Sequence, residues 1–264
     1  MLGNISIVVS SCDAFSDCWS PFIFSVHKFW PDIPCDVYIV SNHHSIEDDV
    51  VKFIKVGDDK GWASNLKKAL SEIEADYILY LQEDYWLTKT VNTSKLLSQI
   101  EYCETKGVDY LRLNIPFSNH TKIDDQHAAC SLGKDKYAIC LQAAIWKKST
   151  LEKLLIEGWS GWDYEAKACQ YAIDNDIPIK AEVVLSDADD DLILHYVDGT
   201  AVRKGKWTRA GATFLRENGF EELHPKRKTE GWMISHLADW RNYPLLHYPT
   251  SGLIRLMNNY NLNF

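Results

Sequence analysis

Over the first 115 residues, short runs of consecutive apolar residues alternate with stretches in which apolar side chains recur every three or four positions. Ile5-Ser6-Ile7-Val8-Val9-Ser10 is one such run and reads as a strand buried on both faces. Residues 36–41, 53–56, 77–81 and 110–113 read the same way. Between them, Phe22, Val26, Phe29 and Trp30 mark one face of a helix over 21–30. Leu66, Ala69, Leu70 and Ile73 do so over 63–75, and Leu96, Leu97, Ile100 and Cys103 mark a further helix. Strands this apolar, separated by helices, predict an α/β fold with a mostly parallel central sheet and helices on both faces.

The second half has a different pattern. Residues 137–146 read as a long strand. Ser149-Thr150-Leu151-Glu152 has the spacing of a capping box, so a helix is expected from there to residue 157. Gly158-Trp159-Ser160-Gly161-Trp162 reads as a loop and 163–175 as a helix. Strands are expected over 179–185 and 192–196, a helix over 209–218, and an irregular tail after it. No repeat or low-complexity linker interrupts the order, which divides into 1–115, 116–206 and 207–264.

Composition narrows the function classes. A chain of 264 residues is long enough for a sizeable core. With 28 Lys+Arg against 37 Asp+Glu, the net charge of -9 argues against a nucleic-acid binder, which needs clustered cations. Arg203-Lys204-Gly205-Lys206 and Lys226-Arg227-Lys228 are short basic clusters suited to a phosphate or to solvent. The 7 cysteines are odd in number and none is spaced CxxC, which fits reduced thiols in the cytoplasm rather than a disulfide framework. The N-terminal apolar run is too short for a signal segment. No apolar run approaches the ~20 residues of a membrane span, which leaves only peripheral membrane contact open.

Candidate chemistry concentrates at strand ends. In open α/β sheets, ligands bind beyond the carboxyl ends of the strands. Gln82-Glu83-Asp84 follows the 77–81 run directly. Two adjacent carboxylates there need a compensating cation, and carboxylate oxygens suit Mg2+ or Mn2+. Such an ion can bridge a diphosphate and neutralise it as it leaves. The alternative is a pair of solvated loop acids; the apolar strand before the pair, with Tyr85 and Trp86 after it, favours the site. A second concentration is Gly158-Trp159-Ser160-Gly161-Trp162-Asp163-Tyr164-Glu165, whose carboxylates lie at a loop-to-helix junction and gain from the positive helix end. Asp163 reads equally as a cap. The polar residues Ser11, Asp13, Asn42 and Asp58 gather at strand ends, where turn chemistry alone also favours them.

The segment Gly61-Trp62-Ala63-Ser64-Asn65-Leu66, the run Asp76-Tyr77-Ile78-Leu79-Tyr80-Leu81 and the acidic motif together resemble GT-A glycosyltransferases, near the family 2 type, over roughly residues 4–200. The resemblance implies a Rossmann-like nucleotide-sugar half over 1–115, an acceptor half over 116–206 and a C-terminal extension over 207–264. It implies a nucleotide-sugar donor, first of all a UDP-sugar, and a glycan or lipid-linked glycan acceptor, as in polysaccharide biosynthesis. The family's motif is DxD or a variant whose last carboxylate holds the metal, so Asp84 is implied as a ligand of Mn2+ or Mg2+. Gln82 stands where the first Asp often stands, and Glu83 is left for the metal, the ribose or the sugar. His195 is implied as a further metal ligand and Arg203 as a diphosphate contact. Ser11, Asp13, Asn42 and Asp58 are implied around the base and ribose, with Trp62 and Asn65 closing over the nucleotide.

An inverting transferase needs a carboxylate to take the acceptor hydroxyl's proton. Resemblance puts Asp163 in that role, with Glu165 second. Trp159 and Trp162 would stack on sugar rings, although large aromatics serve as core equally often. Asp187-Ala188-Asp189-Asp190-Asp191 reads as a solvated acidic turn. Two other readings compete. A sugar-nucleotide pyrophosphorylase-like nucleotidyltransferase needs a Gly-rich first loop, whereas Ser10-Ser11-Cys12-Asp13 has no glycine. A non-catalytic carbohydrate-binding module on the same fold would not need both carboxylate sites.

Overall fold

The N-terminal apolar run forms β1 (Ile5–Ser10), and the runs after it form β2 (Val37–Ser41), β3 (Val51–Lys55) and β4 (Tyr77–Gln82). The structure is a computed structural model that describes residues 5–113, 120–135, 137–185 and 192–231. β3, β2, β1 and β4 are parallel neighbours in that order. The intervening helices are α1 (Trp19–Phe29) and α2 (Trp62–Ser71), while α3 (Thr93–Lys106) leads from β4 to β5 (Tyr110–Arg112). α2 stops four residues short of the expected end, with Glu72 as its C-cap.

Beyond β4 the sheet turns mixed. β6 (Thr121–Lys122), β7 (His127–Cys130), β8 (Ala144–Lys147) and β9 (Ala181–Val184) complete the order β3-β2-β1-β4-β8-β5-β9-β7-β6 among the described residues. β8 runs antiparallel between β4 and β5, β9 is parallel to β5, and β7 is antiparallel to β9. α4 (Lys148–Leu154) and α5 (Gly161–Asp174) cover one face. The core there joins Val8, Leu66, Ile78 and Tyr80 to Ile139, Trp146, Leu151 and Tyr164. Each large aliphatic side chain buried this fully contributes about 1.5–3 kcal/mol.

Three expectations are corrected. The strand expected over 137–146 is real only at Ala144–Lys147. Its earlier part is a loop whose Ile139 and Leu141 are buried against α5, and an apolar run alone does not separate a buried loop from a strand. Ser149 does not cap a helix: α4 starts at Lys148, no side chain caps it, and it ends at Leu154. The stretch 192–196 is not a strand of the sheet. It hydrogen-bonds instead to the chain leaving β4, through Thr88 N to His195 O at 2.8 Å and Val197 N to Trp86 O at 2.9 Å.

The chain divides into two compact units, Met1–Thr200 and Ala201–Phe264. The boundary expected at 206 falls inside the second unit, because β10 (Val202–Arg203) and β11 (Lys206–Trp207) form one hairpin. Its two-residue turn, Lys204-Gly205, has φ 51° and 73°, the positive values such tight hairpins need. Thr208 then caps α6 (Arg209–Glu217), its hydroxyl accepting from Gly211 N at 3.0 Å. No helix among the described residues is long and apolar enough to cross a membrane. The acidic run at 187–191 lies outside the described residues.

Candidate functional site

Strand register builds the floor of the site. β1 and β4 pair from Ile5–Tyr77 to Ser10–Gln82, so both strands end side by side. The chain leaving β4 carries Glu83 and Asp84, 8% and 5% exposed. The Thr200 hydroxyl donates to the Asp84 carboxylate. Trp86 Nε1 donates to Glu83 O at 3.0 Å and to Cys18 O at 3.2 Å, which fixes the turn. Tyr85 stacks on Tyr196 with ring centroids 4.5 Å apart. The segment carrying His195 is thereby laced along the acidic motif.

Two buried hard carboxylates at a strand end suit Mn2+ or Mg2+. The only three-residue group of candidate ligands among the described residues, His27, Asp48 and Asp49, includes neither Asp84 nor His195. A site at Asp84 with one or two protein ligands would fit Mg2+, which usually keeps several waters and binds through few carboxylates.

One wall comes from the loops after β1 and β2. Burial pushes the Cys12 thiol up, and the negative charges of Glu83 and Asp59 push it further. Asp13 Oδ1 accepts from Asn42 N at 2.9 Å and Oδ2 from His43 N at 3.0 Å, while Asn42 Oδ1 accepts from Asp13 N at 3.1 Å. Burial works to raise the Asp13 carboxyl, but these backbone N–H groups outweigh it and hold it below its ordinary value. Ser11 accepts from Trp19 Nε1 at 2.8 Å. Asn65 accepts from Lys60 N at 3.1 Å and donates to Asp59 at 2.8 Å. Ser11, Asp13, Asn42 and Asn65 thus make the contacts of loop clasps. Asp58 is exposed, 3.4 Å from His43.

Trp62 joins this wall to the next. Its Nε1 donates to Ser10 Oγ at 2.9 Å, and its ring meets Tyr164 edge-on at 5.2 Å. Ala63 N also donates to Trp159 O at 3.2 Å, tying the start of α2 to the loop before α5.

α5 carries both candidate bases in different surroundings. Ser160 is the N-cap and Asp163 the third helical residue of a reciprocal capping box. Asp163 also accepts from Lys167 Nζ at 2.7 Å. Lys167 first, and then Ser160, hold its carboxyl far below the ordinary range. Glu165 lies half-buried, its Oε1 accepting from Leu141 N at 3.1 Å. Burial pushes its carboxyl up, against the opposing pull of Leu141 N–H and the Arg112 charge. Leu141 O in turn accepts from Tyr85 OH at 3.1 Å and Gln82 Nε2 at 3.4 Å. The backbone of one residue, Leu141, thus links Gln82 and Tyr85, on either side of the acidic pair, to Glu165.

No protein-family model matches the chain, and no curated protein does. Solved structures do. TarS 1–349 from S. aureus in complex with UDP-GlcNAc is 13% identical at a TM-score of 0.50, over 96% of this chain and 75% of that one. The chain has a GT-A fold. The same TarS fragment with UDP matches at 13% identity and TM-score 0.49, over 99% and 76%. A cytidylyltransferase from Leptospira borgpetersenii matches at 11% identity and TM-score 0.47, over 91% and 95%. Against a longer TarS structure the chain spans 44% of that chain.

Within this GT-A fold, the first unit brings together Asp84, Glu83, Trp62, Glu165 and the His195 segment. Arg203 belongs to the second unit, where Nη1 lies 3.1 and 3.3 Å from the Glu230 carboxylate. Sequence reasoning missed Thr200, Leu141 and Arg112. Two of them act on neighbours distant in the chain, and Leu141 acts through its backbone, so no local motif marks any of the three.

Proposed function

We propose that this chain is a glycosyltransferase that moves a sugar from a nucleotide-sugar, in the first place a UDP-sugar, to a hydroxyl of a glycan or lipid-linked glycan. The observation that carries the reading is the buried Glu83-Asp84 pair where β4 leaves the sheet, whose neighbours Gln82 and Tyr85 are joined through the Leu141 backbone to the half-buried Glu165. Asp84, with His195 from the segment beside it, would hold Mn2+ or Mg2+, which supplies charge neutralisation at the departing diphosphate. Trp62, hydrogen-bonded to the end of β1, closes the donor side. Glu83 is left to the sugar or ribose hydroxyls.

In this reading Glu165 is the base that takes the acceptor proton, giving inversion. A base must hold an appreciable proton affinity near working pH. Glu165 meets that need through burial, whereas Asp163 is committed to Lys167 and the helix cap. Asp163 therefore takes a structural role. The proposed compartment is the cytoplasm, where the seven free cysteines would stay reduced.

The test is thermal shift with UDP, GDP, CTP and UDP-sugars, each with and without Mn2+. Stabilisation by UDP or a UDP-sugar that requires the metal and disappears in Asp84→Asn is the expected result. Stabilisation by CTP alone would replace this reading with nucleotidyl transfer, and no response to any nucleotide would end it.

A further inference from the structure

Arg112 closes β5 with 2% of its surface exposed. Its Nη2 donates to the carbonyl of Tyr137 at 3.2 Å and lies 4.0 Å from Cys130 Sγ. Tyr137 has φ 60°, a left-handed conformation that a residue with a side chain keeps only when its surroundings enforce it. Four residues on, Leu141 donates its N–H to Glu165 and accepts from Gln82 and Tyr85. Between the two ends, Ile139 and Leu141 are anchored by burial, 0% and 5% exposed. A buried guanidinium is costly unless its donors are used, and here one is spent on the strained carbonyl where the loop begins.

We propose that Arg112 is a positioning residue: through the Tyr137 carbonyl it holds the 137–142 loop so that the Leu141 backbone keeps Glu165 in register with the acidic motif. The proposal rests on the reading of Glu165 as base and adds what orients it. Arg112 acts in two ways, by geometry through the loop and by its positive charge, which favours the ionised Glu165. Cys140 from the loop and Tyr164 from α5 also feel the Glu165 charge, and both are neutral at ordinary pH because burial pushes them up. Arg112 is therefore the cation that opposes the effect of burial on Glu165.

The experiment follows the Glu165 carboxyl by 13C NMR titration and, in parallel, measures transfer against pH. Arg112→Met is expected to raise the Glu165 midpoint and to move the acidic limb of kcat up with it. It should lower kcat about ten-fold at unchanged donor KM. In a Glu165→Gln background it should cause no further loss, because both changes act on one group. Arg112→Lys, which keeps the charge but not the planar fork, should restore the pH limb while recovering only part of the rate.

An unmoved Glu165 titration in folded Arg112→Met, or an equal loss in the Glu165→Gln background, overturns the proposal. Should Arg112→Met fail to fold, Arg112→Lys decides: wild-type kcat overturns it, and a several-fold loss with an unmoved limb upholds it. If Glu165→Gln transfers sugar normally, the base reading falls, and the NMR titration still decides whether Arg112 controls Glu165.

Discussion

Asp163 and Glu165 stand two positions apart on α5, yet their carboxyls are shifted in opposite directions. Asp163 is ionised far below neutrality by Lys167 and by the capping box it closes. Glu165 is pushed the other way by burial and keeps one oxygen on Leu141 N–H. Spacing in the chain distinguishes neither; both sit at a helix start rich in aromatics. Kinetics will separate them. Glu165→Gln should lower kcat by roughly 100-fold or more at unchanged donor binding, in the range of lost general-base catalysis. Asp163→Asn should keep most of the transfer rate and lower the melting temperature, because it weakens the cap. Steady-state kinetics with a thermal melt on each variant reads both effects, and the reverse pattern would return the base to Asp163.

At the scale of elements, the segment before α5 does more than start a helix. Ser160 caps α5, and Trp159 beside it accepts from Ala63 N at the start of α2. Ser160→Ala should therefore cost about 1 kcal/mol, the usual value of an N-cap. It should also loosen Trp62 against Tyr164. Urea unfolding measures the first effect, and hydrogen exchange at Ala63 N measures the second; an unchanged exchange rate there would separate the cap from the donor wall.

The legible elements were those with an unambiguous period. β1 and β4 are continuous apolar runs, and α1 has its apolar face at helical spacing, so each lies within a residue or two of its expected place. The run 137–146 failed for the same reason β1 succeeded. Apolar residues report burial, and a loop pinned under α5 is as buried as a strand. The box expected at Ser149 is absent because α4 begins one residue earlier, which places Ser149 inside the helix.

Across the molecule, several carboxylates are ionised more readily than in the unfolded chain. A hydrogen bond from Lys52 holds Asp36 down. Burial opposes ionisation of Asp13, Asp48 and Asp124, but backbone N–H groups and nearby histidines prevail. Since each folded value lies below the unfolded 3.8, the unfolded chain takes up protons first as pH falls. The stability these groups contribute is complete above that value and disappears as pH drops through the folded values. The melting temperature should be flat near neutrality and fall steeply below about pH 4. A melting temperature that holds down to pH 2 would show that these bonds are equally present in the unfolded chain.

The order of apolar runs determined the α/β class, the parallel β1–β4 core and the place where β4 delivers Glu83 and Asp84. That much is local, since a strand's burial and a motif's position after it are written in adjacent residues. Only the tertiary structure decided which carboxylate on α5 is buried, because the loop that supplies Leu141 N–H comes from 24 residues earlier. It alone brought the Thr200 hydroxyl to Asp84 across 116 positions and placed Arg112 under Tyr137. The charge state of a side chain depends on what surrounds it in space, and those neighbours are set by folding rather than by sequence proximity.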